Sequence, residues 1–190
     1  MDNTSIALYI HELRNQCMYM ETAYRVLNQS VEENVQTGVF YAGQSILLAA
    51  SQISGLLWPS RARARKRGEA LRQVLDLPEK HALNDKRLST MWEHSDEKLE
   101  DWIGATKGEN VIFDHLGPMP ELVQGTATEE NVYRSFDPAT QVFLFRGNGY
   151  NLQALANAVG AIYSRLDTAH RTVFPEYHQQ HPSDSPANNN

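Results

Sequence analysis

Ile6, Ile10, Leu13, Cys17, Met20, Tyr24 and Leu27 follow one another at alternating steps of four and three. Only a helix, at about 3.6 residues per turn, brings such a series onto one face. The spacing predicts a helix over about 5–30, with Asn3, Thr4 or Ser5 as its cap. Val39, Ala42, Ile46, Ala49, Ile53 and Leu56 repeat the rhythm and predict a second helix over about 33–57. Its small residues, Gly38, Ala42, Gly43, Ala49 and Ala50, admit a close neighbour. Pro59 ends it, because the residue before a proline avoids helical geometry.

Three further helices are expected. One starts after Ser60 and ends near Asp76, with Gly68 weakening its middle. One covers about 85–103, with Leu88, Trp92, Ser95, Leu99 and Trp102 facing inward and Gly104 as a stop. The last covers about 152–174, capped by Asn151 and carrying Leu152, Leu155, Val159, Ile162, Leu166, Ala169 and Val173. Between the last two, 111–116 is apolar enough for a strand, and 117–130 reads as a loop. Two alternating runs, 132–136 and 142–145, flank Asp137-Pro138-Ala139-Thr140 and predict a β-hairpin over about 131–146. Arg146 to Gly149 reads as a tight connection. The expected fold is mainly α: a four- to five-helix bundle with a small β-hairpin inserted before the last helix. It forms one domain over 1–174, followed by a disordered tail over 175–190 that has little to bury. The apolar runs exceed what a small bundle needs, which points to a homodimer.

Composition narrows the chemistry. The net charge of -6 argues against wholesale coating of nucleic acid or membrane. Cys17 is the one cysteine, so no internal disulfide forms. His11, His81, His115 and His170 are scattered, and His178 and His181 lie in the tail without carboxylates around them. Neither a metal nor a cofactor is expected. No apolar run is long enough to span a bilayer, and the first residues lack the basic start of a secretory signal, so the expected location is cytoplasmic.

Two clusters carry chemical content. On a continuous fourth helix, Arg87 and His94 are seven apart and nearly eclipse, with Thr90, Lys98 and Asp101 on the same flank. Imidazole moves protons near neutral pH, and a guanidinium stabilises a crowded phosphate. Together they suit metal-free cleavage of RNA. A charged flank with one histidine also reads as a solvated face, the commoner outcome for spacing on one helix. The second cluster is Arg61, Arg63, Arg65, Lys66 and Arg67, five cations in seven residues of an acidic chain. It reads either as a nucleic-acid phosphate contact or as a solvated helix start.

Arg67-Gly68-Glu69-Ala70-Leu71-Arg72, followed by Met91-Trp92-Glu93-His94-Ser95-Asp96-Glu97-Lys98-Leu99, resembles the HEPN-type bacterial helical proteins. Their segment has the form Arg-Asn-x-x-Glu-His-x-Asp-Glu-Arg. The likeness covers Trp58 to Trp102 and, more loosely, Phe136 to Leu155. It implies a helical bundle, often dimeric, and in active members a metal-independent ribonuclease built on an arginine and a histidine, in a defence or toxin setting. The catalytic set it implies here is His94 and Arg87, with Thr90 and Glu93 beside them. With His94 aligned, the family's Arg-Asn falls on Ser89-Thr90, and Arg87 lies two positions earlier. A degenerate member that binds RNA without cutting it stands beside the active enzyme. The competing class is a non-enzymatic interaction module that dimerises or recruits a protein partner.

Overall fold

In the computed structural model, which describes residues 2–119 and 128–181, the chain is mainly helical with one small sheet. Helix α1 (Asn3–Glu32) buries Ile10, Leu13, Cys17, Met20 and Leu27 of the expected stripe. It ends where Asn34 turns left-handed at φ 57°. There the Val35 N–H donates back to the Ser30 carbonyl and the Asn34 N–H to that of Val31, which satisfies two terminal carbonyls. Helix α2 (Gln36–Leu57) buries Val39, Ala42, Ile46, Ala49 and Ile53. A single 3-10 turn (Ala62–Ala64) leads into α3 (Arg65–Val74). Asp76, at φ 49°, closes α3 as Asn34 closes α1, with Leu77 N–H donating to the Arg72 carbonyl.

The expected continuous helix over 85–103 is broken. Helix α4 (Lys86–Ser89) is one turn long, 90–94 is a turn, and α5 (Ser95–Thr106) follows. Local chemistry favours the break. The Asp85 carboxylate caps α4 by accepting from the Arg87 N–H. The Thr90 and Ser89 hydroxyls both donate to the Lys86 carbonyl, competing with helix continuation. His94 sits at φ 53°, a geometry no α-helix contains. Packing completes it, since Met91 is buried and the Trp92 ring stands 5.3 Å from Phe145. Helix α5 then half-buries Ser95, Leu99, Trp102 and Thr106.

Strands β1 (Ile112–Leu116), β2 (Val132–Asp137), β3 (Val142–Phe145) and β4 (Asn148–Asn151) form a sheet in that order. β1 runs parallel to β2, and the other neighbours are antiparallel. The β2–β3 turn is tied by the Asp137 carboxylate, which accepts from the Ala139 N–H and the Thr140 hydroxyl. β4 replaces the expected connection. Arg146 and Gly147, both at positive φ, form a two-residue turn whose twist matches the strands it joins. Helix α6 (Leu152–Val173) is capped by the Asn151 side chain, which accepts from the Ala154 N–H. The stretch expected to be disordered begins instead with a short helix, α7 (Pro175–Gln180), Pro175 occupying the first turn, where its missing N–H costs nothing. The rest of that tail, from 182, and positions 120–127 of the expected loop lie outside the described residues.

The contacts divide the chain into two units. The first holds 2–20, 49–90 and 157–181, and the second 21–48 and 91–156 where described. The first unit is helical, and Gly68 explains itself there. A Cβ on Gly68 would stand 2.7 Å from the Leu57 carbonyl oxygen and 2.5 Å from Pro59 Cδ, so α3 approaches the end of α2 at a position only glycine permits. In the second unit the sheet packs on α2. Phe136 and Phe143 are paired across β2 and β3, Phe143 meets Phe40 at 5.9 Å, and its ring fills the space where a Gly43 Cβ would stand. Trp102 lies 5.0 Å from Tyr133 and 5.3 Å from Phe113, joining α5 to the sheet. Among the described residues no helix is long and apolar enough to cross a membrane.

Candidate nucleic-acid interface

The basic segment occupies the 3-10 turn and the first turn of α3. Arg61, Arg63, Arg65 and Lys66 are exposed. Arg67 is not part of that surface. Its guanidinium turns inward, donates to the Gly55 carbonyl at 2.9 Å, and lies 5.4 Å from the Tyr9 ring centre. The five expected cations therefore divide into four on the surface and one in the packing.

The position of the four is unfavourable for the helix itself. α3 has Ala64 at its N-cap, without a side-chain cap and without an acid in its first turn. A helix start carries partial positive charge, and cations placed there repel it. The Ala64 and Arg65 N–H groups are taken by the Arg61 and Ala62 carbonyls, so the preference for an anion comes from the basic side chains and the helix dipole.

Beside this segment lies a cleft of about 380 Å³, lined by Trp58, Pro59, Arg65, Glu69, Arg72 and Glu79 among others. Trp58 forms its buried wall, with His81 stacked on the ring at 4.9 Å. Burial and the nearby Arg165 hold His81 below the ordinary imidazole pKa. Arg72 is fixed by the Leu57 carbonyl and the Glu79 carboxylate.

The residues expected to form a catalytic set are placed differently. Arg87 binds Asp85, its Nη2 2.7 Å from Oδ2. The hydrogen bond from Arg87 lowers the Asp85 pKa against the opposing effect of burial. Thr90 donates to the Lys86 carbonyl at 2.9 Å. Glu93 is exposed, and His94, also exposed, has Nδ1 3.3 Å from Glu97 Oε1. Arg87 and Thr90 belong to the first unit, Glu93 and His94 to the second. The eclipsed register of Arg87 and His94 required an unbroken helix, and that helix is absent.

A histidine chain escaped the sequence altogether. His11 Nδ1 stands 2.9 Å from His170 Nε2, and His170 Nδ1 stands 2.7 Å from His178 Nε2. These rings link α1, α6 and α7 within the first unit. His170 is fully buried, and burial, with the positive Arg14 beside it, pushes its pKa down to about 4. Asp167 opposes this weakly from α6. Its own pKa is held below the usual carboxylate range because Arg171 and Arg14 outweigh its burial. An unfolded histidine titrates near 6.5, so between about pH 6.5 and 4 the unfolded chain takes up the proton that the folded chain refuses. Stability is expected to fall with pH across that window and to level off below it. Urea midpoints measured at intervals from pH 7.5 to 3.5 check this, beside His170→Leu, whose profile should be flatter there. A variant as steep as the native chain would assign the dependence to other groups.

Cys17 is buried, and burial pushes its thiol up to about 12 against the opposing influence of Arg14, so it is no nucleophile at neutral pH. No family model matches the chain, and no curated protein or solved structure matches it.

Proposed function

We propose that the chain is a HEPN-like, RNA-directed helical protein that grips the phosphate backbone through Arg61, Arg63, Arg65 and Lys66 and leaves the RNA uncut. The observation that carries this is the exposure of four cations on an uncapped helix start of an acidic chain. Neutralising phosphates releases condensed counterions, a driving force available to any such cluster whatever the overall charge. The broken helix between Arg87 and His94 favours the binding member of the family over the cutting one. On this reading the long helices are the frame of a four- to five-helix bundle with β2–β3 as its hairpin, and the protein works in the cytoplasm. Leu8 and Tyr19 on α1, and Tyr41 and Leu48 on α2, are exposed apolar side chains that a homodimer would cover.

One observation favours a protein partner instead. A shallow cleft of about 200 Å³ on the second unit is lined by Tyr41, Gln44, Ser45, Leu48 and Trp92. The buried Nε1 of Trp92 finds no hydrogen-bond partner among the described residues.

Incubation with a labelled RNA pool in EDTA, beside His94→Ala, separates binding from cutting. The expected result is retarded but intact RNA with both proteins. Metal-independent cleavage by the native chain, lost in His94→Ala, would overturn the proposal and restore the ribonuclease.

A further inference from the structure

The geometry points to a base-reading site: we propose that the cleft beside the basic segment takes one guanine of the single-stranded RNA whose phosphates that segment holds. The inference rests on the RNA reading and adds what is recognised. Arg65 is shared, exposed in the basic segment and also part of the cleft wall. A strand running over Arg61, Arg63 and Arg65 therefore passes the mouth of the cleft. Its volume of about 380 Å³ falls within the range of small-molecule sites and accommodates a nucleobase.

The lining selects among occupants. A phosphate offers acceptors alone, and Glu69 would repel it while Arg72 is already taken by Glu79. A base edge offers donors and acceptors together. Glu79 is committed to Arg72, while Glu69 has no ion pair among the described residues. On the donor side, Trp58 is 6 % exposed and its indole N–H has no hydrogen-bond partner among the described residues. A buried donor without an acceptor is costly and rare in folded proteins, so this N–H is left for an acceptor that the described residues do not supply, one that a group seated deep in the cleft would provide. Guanine meets both demands. Its N1–H and N2–H lie side by side and suit one carboxylate in a bidentate pair, and its O6 is the acceptor next to them. Uracil has one N–H and cannot form the pair. Adenine has no N–H beside its amino group on that edge.

The test uses two RNAs of twelve nucleotides, oligouridine and the same strand with one central guanosine, titrated by fluorescence anisotropy at fixed salt. The guanosine strand should bind about tenfold more tightly, within the roughly five- to hundredfold that a good bidentate base contact is worth. Glu69→Gln, on an exposed side chain, and Trp58→Phe, which keeps the ring and removes the N–H, should each reduce that preference without weakening oligouridine. Equal affinity for the two strands, or a preference untouched by both variants, would overturn the proposal while leaving the phosphate grip intact. If neither strand binds, the RNA reading falls, and guanosine monophosphate is titrated by tryptophan fluorescence. Saturation lost in Glu69→Gln would then retain a guanine site, and no saturation would remove that too.

Discussion

Phe143→Ala is expected to lower the unfolding free energy by about 3–5 kcal/mol, the usual cost of emptying a buried aromatic site. Phe143 is fully buried, sits 5.9 Å from Phe40 and 6.3 Å from Phe136, and presses its ring against α2 where Gly43 has no side chain. Gly43 therefore cannot fill the hole, and the neighbouring rings are themselves held, Phe136 on β2 and Phe40 on α2. Since most domains are stable by about 5–15 kcal/mol, the loss should be plain in urea denaturation. The reciprocal change, Gly43→Ala, places a methyl 2.3 Å from Phe143 Cε2 and should cost about 1–3 kcal/mol by overpacking. The two changes share one space, so the double variant should lose less than the sum of the single losses. A Phe143→Ala variant within about 1 kcal/mol of the native chain would contradict this packing of α2 on the sheet.

Reversing three charges, Arg61→Glu, Arg63→Glu and Arg65→Glu together, is expected to weaken binding of single-stranded RNA by about a hundredfold at 0.1 M salt. Each phosphate contact on a single strand contributes about 0.7 to the dependence of log affinity on log salt, and three contacts at that concentration amount to about two decades. The fold should not suffer. The three side chains are exposed, and carboxylates at the start of α3 suit the helix dipole that the arginines oppose. Thermal melting should therefore stay level or rise slightly while binding collapses. A variant that retains RNA affinity would remove the segment from the account, and one that unfolds would show that these arginines hold structure.

What the sequence made legible depended on whether the cause was local. The α1 and α2 stripes were readable because helical spacing is a property of neighbours, and Ile10, Leu13, Cys17, Val39, Ala42 and Ile46 are buried as the spacing required. The β2–β3 pair was readable from its turn and alternation. The break at 90–94 was not, because it depends on Met91 and Trp92 packing in a different unit from Leu88, which no spacing reveals. The register of Arg87 and His94 depends on that segment and falls with it. β4 has a local signature in Gly147, which, flanked by residues able to pair, marks a tight hairpin turn. The basic segment was plain in composition, but the inward turn of Arg67 answers to Gly55 and Tyr9, which lie outside it. His11 and His170 are 159 residues apart, and their contact has no sequence signature at all. Helix α7 was hidden for a related reason, since Tyr177 and His178 are held by side chains from α1 and α6.

The central claim is that this protein holds RNA by its backbone through the start of α3. The slope of log affinity against log salt tests it most directly, measured for the native chain and the triple charge reversal on one unstructured RNA. Four exposed cations predict a native slope of about -3, falling to about -1 in the variant with one cation left. A native slope near zero, or one unchanged by the reversal, would contradict it.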